Sequence, residues 1–280
     1  MHGTLGNLPA VTAALAPQRA RRAVPWATLR MLALGLASIA LFLLAWHLLT
    51  THRVVAHVRF TNVPTPQAVL ARAALAFRDP QFQMNLLISC RRIGSGFLLA
   101  TALGVPLGML MGRWRLVREA VLPALELLRP IPAIAWVPIS IMLWPTNEES
   151  IVFITFLGSF FPILLNTLLG MQGVDPILVR AARCLGAREA ALFREIYLPA
   201  VLPQVFTGLA VGMGVAWVSL IAAEMIAGQY GIGYFTWEAY SLVSYADIVL
   251  GMACIGALGL LSSALVRLAA RLAMPWNRAA

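Results

Sequence analysis

Lysine is absent from this 280-residue sequence, and all 21 basic residues are arginine. No GxxxxGK(S/T) segment occurs, so the chain has no phosphate-cradling loop of that kind and does not bind ATP in that manner. Charge is scarce as well: 11% of residues are charged, against about 25% in an ordinary soluble domain. With 60% hydrophobic residues, such a chain cannot cover itself with polar surface, and lipid is the solvent its composition fits. Cys90, Cys184 and Cys254 form no CxxC pair, which leaves three buried thiols as the expectation. His47, His52 and His57 are spaced by five, so successive rings lie about 140° apart on a helix and share no face for a metal. Every histidine precedes the second apolar segment, and no Ser/His/Asp set is suggested. The formal charge of +10 does not point to nucleic acid, because the arginines cluster between apolar runs, as topology signals do.

What is present is a series of apolar segments, at about 26–49, 93–111, 131–144, 150–170, 201–226 and 248–270. A spanning helix needs about 20 apolar residues. Five segments meet this, and the third is short, with a break at Pro130 and a possible earlier start near Val121. No barrel-like alternation occurs, so an all-α membrane protein of about six transmembrane helices is expected. The first run is too long for a signal peptide and reads as a retained span. Placing the N-terminus inside puts 14 arginines on the cytoplasmic side, among them Arg113, Arg180, Arg188 and Arg267. One stretch conflicts with this: 50–92 would lie outside, yet carries Arg53, Arg59, Arg72, Arg78, Arg91 and Arg92. Thr65 as N-cap with Pro66 at N1 predicts a helix there. Its face of Val69, Leu70, Ala73, Ala74 and Phe77, opposite Gln67 and Arg72, suits an interfacial helix with snorkelling arginines. The organisation expected is a cytoplasmic tail at 1–25, a first span at 26–50, an external segment at 51–84 and a core at 85–276.

Within the core, the loop 174–203 has its own helical grammar. Asp175 is an N-cap and Pro176 fits N1. Ile177, Leu178, Ala181, Ala182 and Leu185 share a face, with Arg180 and Arg183 opposite. Gly186 stops this helix as a left-handed C′ residue would. A second helix is expected from Ala187 to Leu198, ended by Pro199, with Leu192, Phe193, Ile196 and Tyr197 on its apolar side. Two short amphipathic helices around a glycine make a knob that either enters a groove on a partner or folds back on the bundle.

Ala181-Ala182-x-x-x-Gly186, nine residues, then Ile196-x-Leu198-Pro199 resembles the EAA loop of ABC-importer permeases. Leu128-Arg129-Pro130-Ile131-Pro132, Phe161 to Thr167, Ala223-Glu224-Met225-Ile226 and Gly231-Ile232-Gly233-Tyr234 resemble the branch for sulfonate, nitrate, taurine and bicarbonate. The resemblance covers roughly 83–276. It implies a MetI-like permease architecture in a bacterial inner membrane, with both termini cytoplasmic. The coupling loop would engage a separate ATPase subunit through Ala181, Ala182, Leu185, Gly186, Ile196, Leu198 and Pro199. A second permease copy, most simply a homodimer, and a periplasmic solute-binding protein would complete the importer. No cofactor is expected on this chain; ATP and magnesium belong to the partner. One departure is plain: the family often has glutamate where this chain has Arg180.

Four residues are candidates for the solute path. Glu224 is an ionisable residue inside a span, which fits gating or path lining; the bland alternatives are solvation at the interface or pairing with an arginine. Arg129 lies beside helix-breaking prolines, where freed amides and a cation favour an anion; the alternative is an interfacial arginine. Trp217 and Ser219 could line the centre. Asn166 and Gln204 read as helix-holding polar residues, and Gly208, Gly212 and Gly214 as close-approach positions. Glu224→Ala is expected to alter transport more than assembly. Rival readings are a same-fold permease for another solute class, an ion-coupled secondary transporter, which would need several acids in the spans, and an intramembrane enzyme.

Overall fold

The computed structural model describes residues 26–52 and 62–277. The expected tail at 1–25 with Arg19, Arg21 and Arg22, together with Arg53, His57, Arg59 and Arg278, lies outside the described residues. Among the described residues every regular element is helical. Five helices are long and apolar enough to cross a membrane, and six spans result if one bent pair counts as a span.

Helix α1 (Trp26–Thr51) belongs to a separate unit of the chain. It is apolar on every side, and Thr50 near its end turns its hydroxyl back to the Trp46 carbonyl at 2.8 Å.

The second unit begins with α2 (Pro66–Ala76), capped as expected: the Thr65 hydroxyl accepts from the Ala68 amide at 3.3 Å. Its inward face is different from the expected one. Val69 and Ala76 are buried, Leu70 and Phe77 are exposed, and Arg72 turns inward to Asp247. An arginine with an acid within reach forms the pair rather than snorkelling.

Helices α3 (Pro80–Arg113), α6 (Asn147–Gln172) and α9 (Leu198–Ala227) form the packed centre. Ile154, Ile163, Val201, Ala216, Leu220 and Ala223 are fully buried among them. Lipid tails give helices no hydrophobic reason to associate, so close backbone approach through small residues supplies the packing. Gly212 illustrates it: a Cβ there would sit 3.1 Å from the Ser159 carbonyl oxygen and 2.9 Å from Ile163. Gly208 is similarly tight against Asn166, whereas Gly214 faces open space, so the close-approach reading fails at that position.

The weak third segment is a broken element. Helix α4 (Arg115–Leu128), a 3₁₀ turn (Ala133–Trp136) and α5 (Val137–Leu143) follow one another with an 85° bend at the break. Pro130 and Pro132 in that break cannot donate the amides a continuous helix needs. A short elbow follows α6, built from α7 (Pro176–Cys184) and α8 (Glu189–Leu192). After α9 the chain forms α10 (Ile232–Ser241) and α11 (Tyr245–Ala273), which pack on each other and on α9. Of the thiols only Cys254 is buried; Cys90 and Cys184 lie on outward faces of α3 and α7, contrary to the expectation of three buried groups.

Candidate functional site

The elbow forms from strong local signals. The Asp175 carboxylate accepts from the Ile177 amide at 2.7 Å, and Pro176 opens α7. At the other end the Gly186 amide donates to the Arg183 carbonyl at 3.0 Å and the Ala187 amide to the Ala182 carbonyl at 3.0 Å. This is a Schellman end, and Gly186 adopts φ +83° as its C′ residue requires. Nothing lies within 4 Å of a Cβ built on Gly186, so backbone conformation and not space selects glycine there. On α7, Ile177, Leu178 and Leu185 are 61%, 56% and 88% exposed, while Val179 is buried. Ala181 is exposed and Ala182 half-buried. The apolar face is therefore turned away from the rest of the protein, and Val179, which the face assignment from sequence passed over, is the inward anchor.

Past the corner the structure departs from expectation. Pro199 does not end the second helix. Helix α8 passes through a π-helical turn (Phe193–Tyr197) into α9, giving one uninterrupted helix of 39 residues from Glu189 to Ala227. Proline removes one amide and crowds the carbonyl four residues before it, here Glu195. The widened turn directly before Leu198 takes up that misfit, a common use of π turns. Ile196, Leu198 and Pro199 are consequently half-buried members of a rigid rod.

The four solute-path candidates separate into two places. Arg129 and Ser219 both line an open cavity of about 470 Å³ between the α4–α5 break, α6 and α9, walled by Ile134, Trp136, Phe161 and Val218. Arg129 is about half exposed, with Glu126 at 3.6 Å. Trp217 is buried away from it and donates its indole N–H to the Ser262 hydroxyl of α11 at 2.8 Å. Glu224 is also absent from the cavity lining.

Glu224 is instead fully buried in a polar clasp. It accepts from the Arg92 guanidinium at 3.0 Å, the Ser89 hydroxyl at 2.8 Å and the Gly233 amide at 2.9 Å. Arg92 also donates to the Tyr230 carbonyl at 2.7 Å and to Glu148 at 2.5 Å. Asn85 accepts from the Gly231 amide at 2.9 Å. Gly231, at φ +116°, is the position where a side chain would collide with the Glu224 carboxylate. Of the alternatives for Glu224, pairing with an arginine is the one realised. Ion pairing also accounts for part of the arginine excess in 50–92: Arg72, Arg91 and Arg92 are all paired to acids of other helices. Sequence reasoning missed Ser89, Asn85 and Arg92, although two arginines at a forbidden place and an acid within a span were the signal for them. Asn166 and Gln204 do join helices, the Gln204 amide donating to Asn166 at 3.2 Å.

Five or six candidate spans among the described residues, a broken third segment and a glycine-cornered elbow after α6 are the features a family must share. Residues 104–278 match the family described as binding-protein-dependent transport system inner membrane component. The chain belongs to this family. It is 35% identical to a probable ABC transporter permease protein of Brucella abortus (strain 2308) over 91% of its own length and 99% of that protein. It is 30% identical to the nitrate import permease protein NrtB of Synechocystis, covering 94% of this chain and 97% of the relative. The taurine transport system permease protein TauC of Escherichia coli (strain K12) is 30% identical, covering 90% and 92% respectively. The protein is thus a multi-pass ABC-importer permease with the MetI-like fold, a non-catalytic membrane component of a system that includes an ATPase and a binding protein.

Proposed function

We propose that this permease carries a small anion, of the nitrate, taurine, sulfonate or bicarbonate type, across a bacterial inner membrane, driven by a separate ATPase that grips the elbow. The observation that carries the coupling half is the apolar face of α7, exposed at Ile177, Leu178 and Leu185 beside a glycine corner. An apolar helical face left uncovered next to arginines suits a groove on a soluble partner. Docking contacts are assigned to Ala181, Ala182, Leu185 and Gly186, with Ile196, Leu198 and Pro199 passing motion directly into α9 because that helix is continuous. ATP-driven closure of the partner then moves the elbow and tilts the spans. ATP and magnesium stay with the ATPase; this chain binds no cofactor.

The cavity with Arg129 and Ser219 is assigned to the solute path, where the guanidinium meets the anion. Trp217 and Glu224 are assigned to helix joining. The names of the nitrate and taurine relatives support the anion class. The cavity is open on one side, which suits a second copy of the chain as its other wall, and the elbow side with both termini is taken as cytoplasmic from the arginine bias.

The test is reconstitution of the chain with its ATPase and binding protein in liposomes. Uptake of nitrate or a short sulfonate that requires both ATP and the binding protein is the expected result. Uptake by the chain alone would sink the coupling assignment, and a binding protein that retains only ligands without an anionic group would sink the anion assignment.

A further inference from the structure

We propose that Glu189 is a positioning residue that straps the elbow to the end of α3, so that α3 as well as α9 follows the elbow when it moves. This rests on the elbow being the ATPase contact. The carboxylate of Glu189 bridges two arginines of different elements: Arg113 Nη2, at the last residue of α3, donates to Oε2 at 2.5 Å, and Arg183 Nη2, on α7, donates to Oε1 at 2.9 Å. The Arg113 guanidinium also lies over the Tyr197 ring, 5.8 Å from its centroid, a cation–π distance. Three helical pieces therefore meet through one side chain placed three residues beyond the Gly186 corner.

Packing does this work only in part: Val179 of α7 and Leu192 of α8 are buried, but the ion pair itself borders open space. Next to the pair, the end of α3 and the second elbow helix border a cavity of about 670 Å³, lined by Pro106, Met109, Leu110, Trp114, Ala190 and Phe193 besides Arg113 and Glu189 themselves. The corner at Gly186 has no neighbour within 4 Å of a built Cβ, and the apolar face of α7 is free of its own chain. The joint between α7 and α8 is thus unbraced by side-chain packing on its outer face, and there the carboxylate adds the link that resists opening. Exposed ion pairs are individually weak. Two that converge on one carboxylate from separate elements are lost together when that carboxylate is removed, and they can yield and re-form as the elbow swings.

The experiment uses the liposome complex with the ATPase and binding protein, and reads solute moved per ATP hydrolysed. Glu189→Gln is expected to keep ATPase co-purification and ATP hydrolysis near wild type while solute per ATP falls by about fivefold, the size of a modest coupling term. Arg113→Gln, which removes the α3 link and leaves the Arg183 pair, should also lower the ratio, and the double variant should fall no further than Glu189→Gln, in which the α3 link is already gone. Raising salt should lower the wild-type ratio and leave the Glu189→Gln ratio flat, because exposed pairs are screened. An unchanged ratio in Glu189→Gln overturns the strap. Loss of co-purification in that variant also overturns it, by making Glu189 part of the docking contact. Failure of the wild-type chain to hold the ATPase is a different failure, that of the elbow reading itself.

Discussion

Helix α3 carries two ion clusters built on opposite principles. Arg92, in its first half, has 5% side-chain exposure and sits between Glu148 and Glu224, with Glu224 fully buried. Arg113, about six turns further on, is 30% exposed and meets Glu189, which is 63% exposed. In the first cluster every buried polar atom has a partner, and the Gly233 amide at the start of α10 donates to the carboxylate. In the second, the same two residue types meet beside a cavity. A desolvated pair is expensive to break because the survivor stays buried without its counter-charge. A solvated pair gives up little when it opens. The difference separates a fixed end from a yielding end on one helix, which is what a lever needs.

The largest expected effect tests the fixed end. Glu224→Ala leaves Arg92 buried with one of its two acids gone and should cost roughly 3–5 kcal/mol of stability. In detergent this should appear as a melting temperature lower by about 10 °C, with ATPase binding by the surviving folded fraction retained. A change in transport without a change in stability would return Glu224 to the solute path. Gly231→Ala attacks the same clasp through the backbone. At φ +116° and with the Glu224 carboxylate in the way, it should cost about 1–3 kcal/mol, measured in the same melting experiment. A neutral result there would mean that the turn, and with it the clasp, is loosely held.

Much of this architecture was legible in the residues because lipid imposes its own grammar. The apolar runs at 150–170 and 248–270 lie within α6 and α11, and Asp175-Pro176 and Gly186 marked the limits of α7 by capping chemistry that acts over a few residues. Interactions distant in sequence were not legible. Arg92 and Glu224 are 132 residues apart, and no local pattern says which arginine an intramembrane acid will find. The local pattern of α2 points Arg72 outward, because its own helix looks amphipathic that way, yet Asp247 on α11 draws it in. Pro199 misled for a physical reason: the rule that proline ends a helix assumes α geometry before it, and a π turn removes the premise.

At the yielding end, Gly186→Pro separates docking from folding. Proline holds φ near −65°, which Gly186 at +83° cannot accept, so the corner must rebuild. Because nothing packs around that position, the melting temperature should move by less than about 3 °C while co-purification of the ATPase is lost. Replacing Leu185 and Gly186 together with charged residues should give the same split. A variant that keeps the ATPase at wild-type levels would remove the elbow from the coupling path.

The smallest expected effect is the one that distinguishes the two ends most sharply. Glu189→Gln should leave the melting temperature within about 2 °C of wild type, since exposed pairs contribute little to stability. It should nevertheless lower the yield of transport per ATP, whereas Glu224→Ala should lower stability first. A large thermal loss in Glu189→Gln would mean that the strap holds the resting fold together, leaving α3 as stiffly fixed at the elbow as at the clasp. It could then transmit no movement that the bundle as a whole does not make.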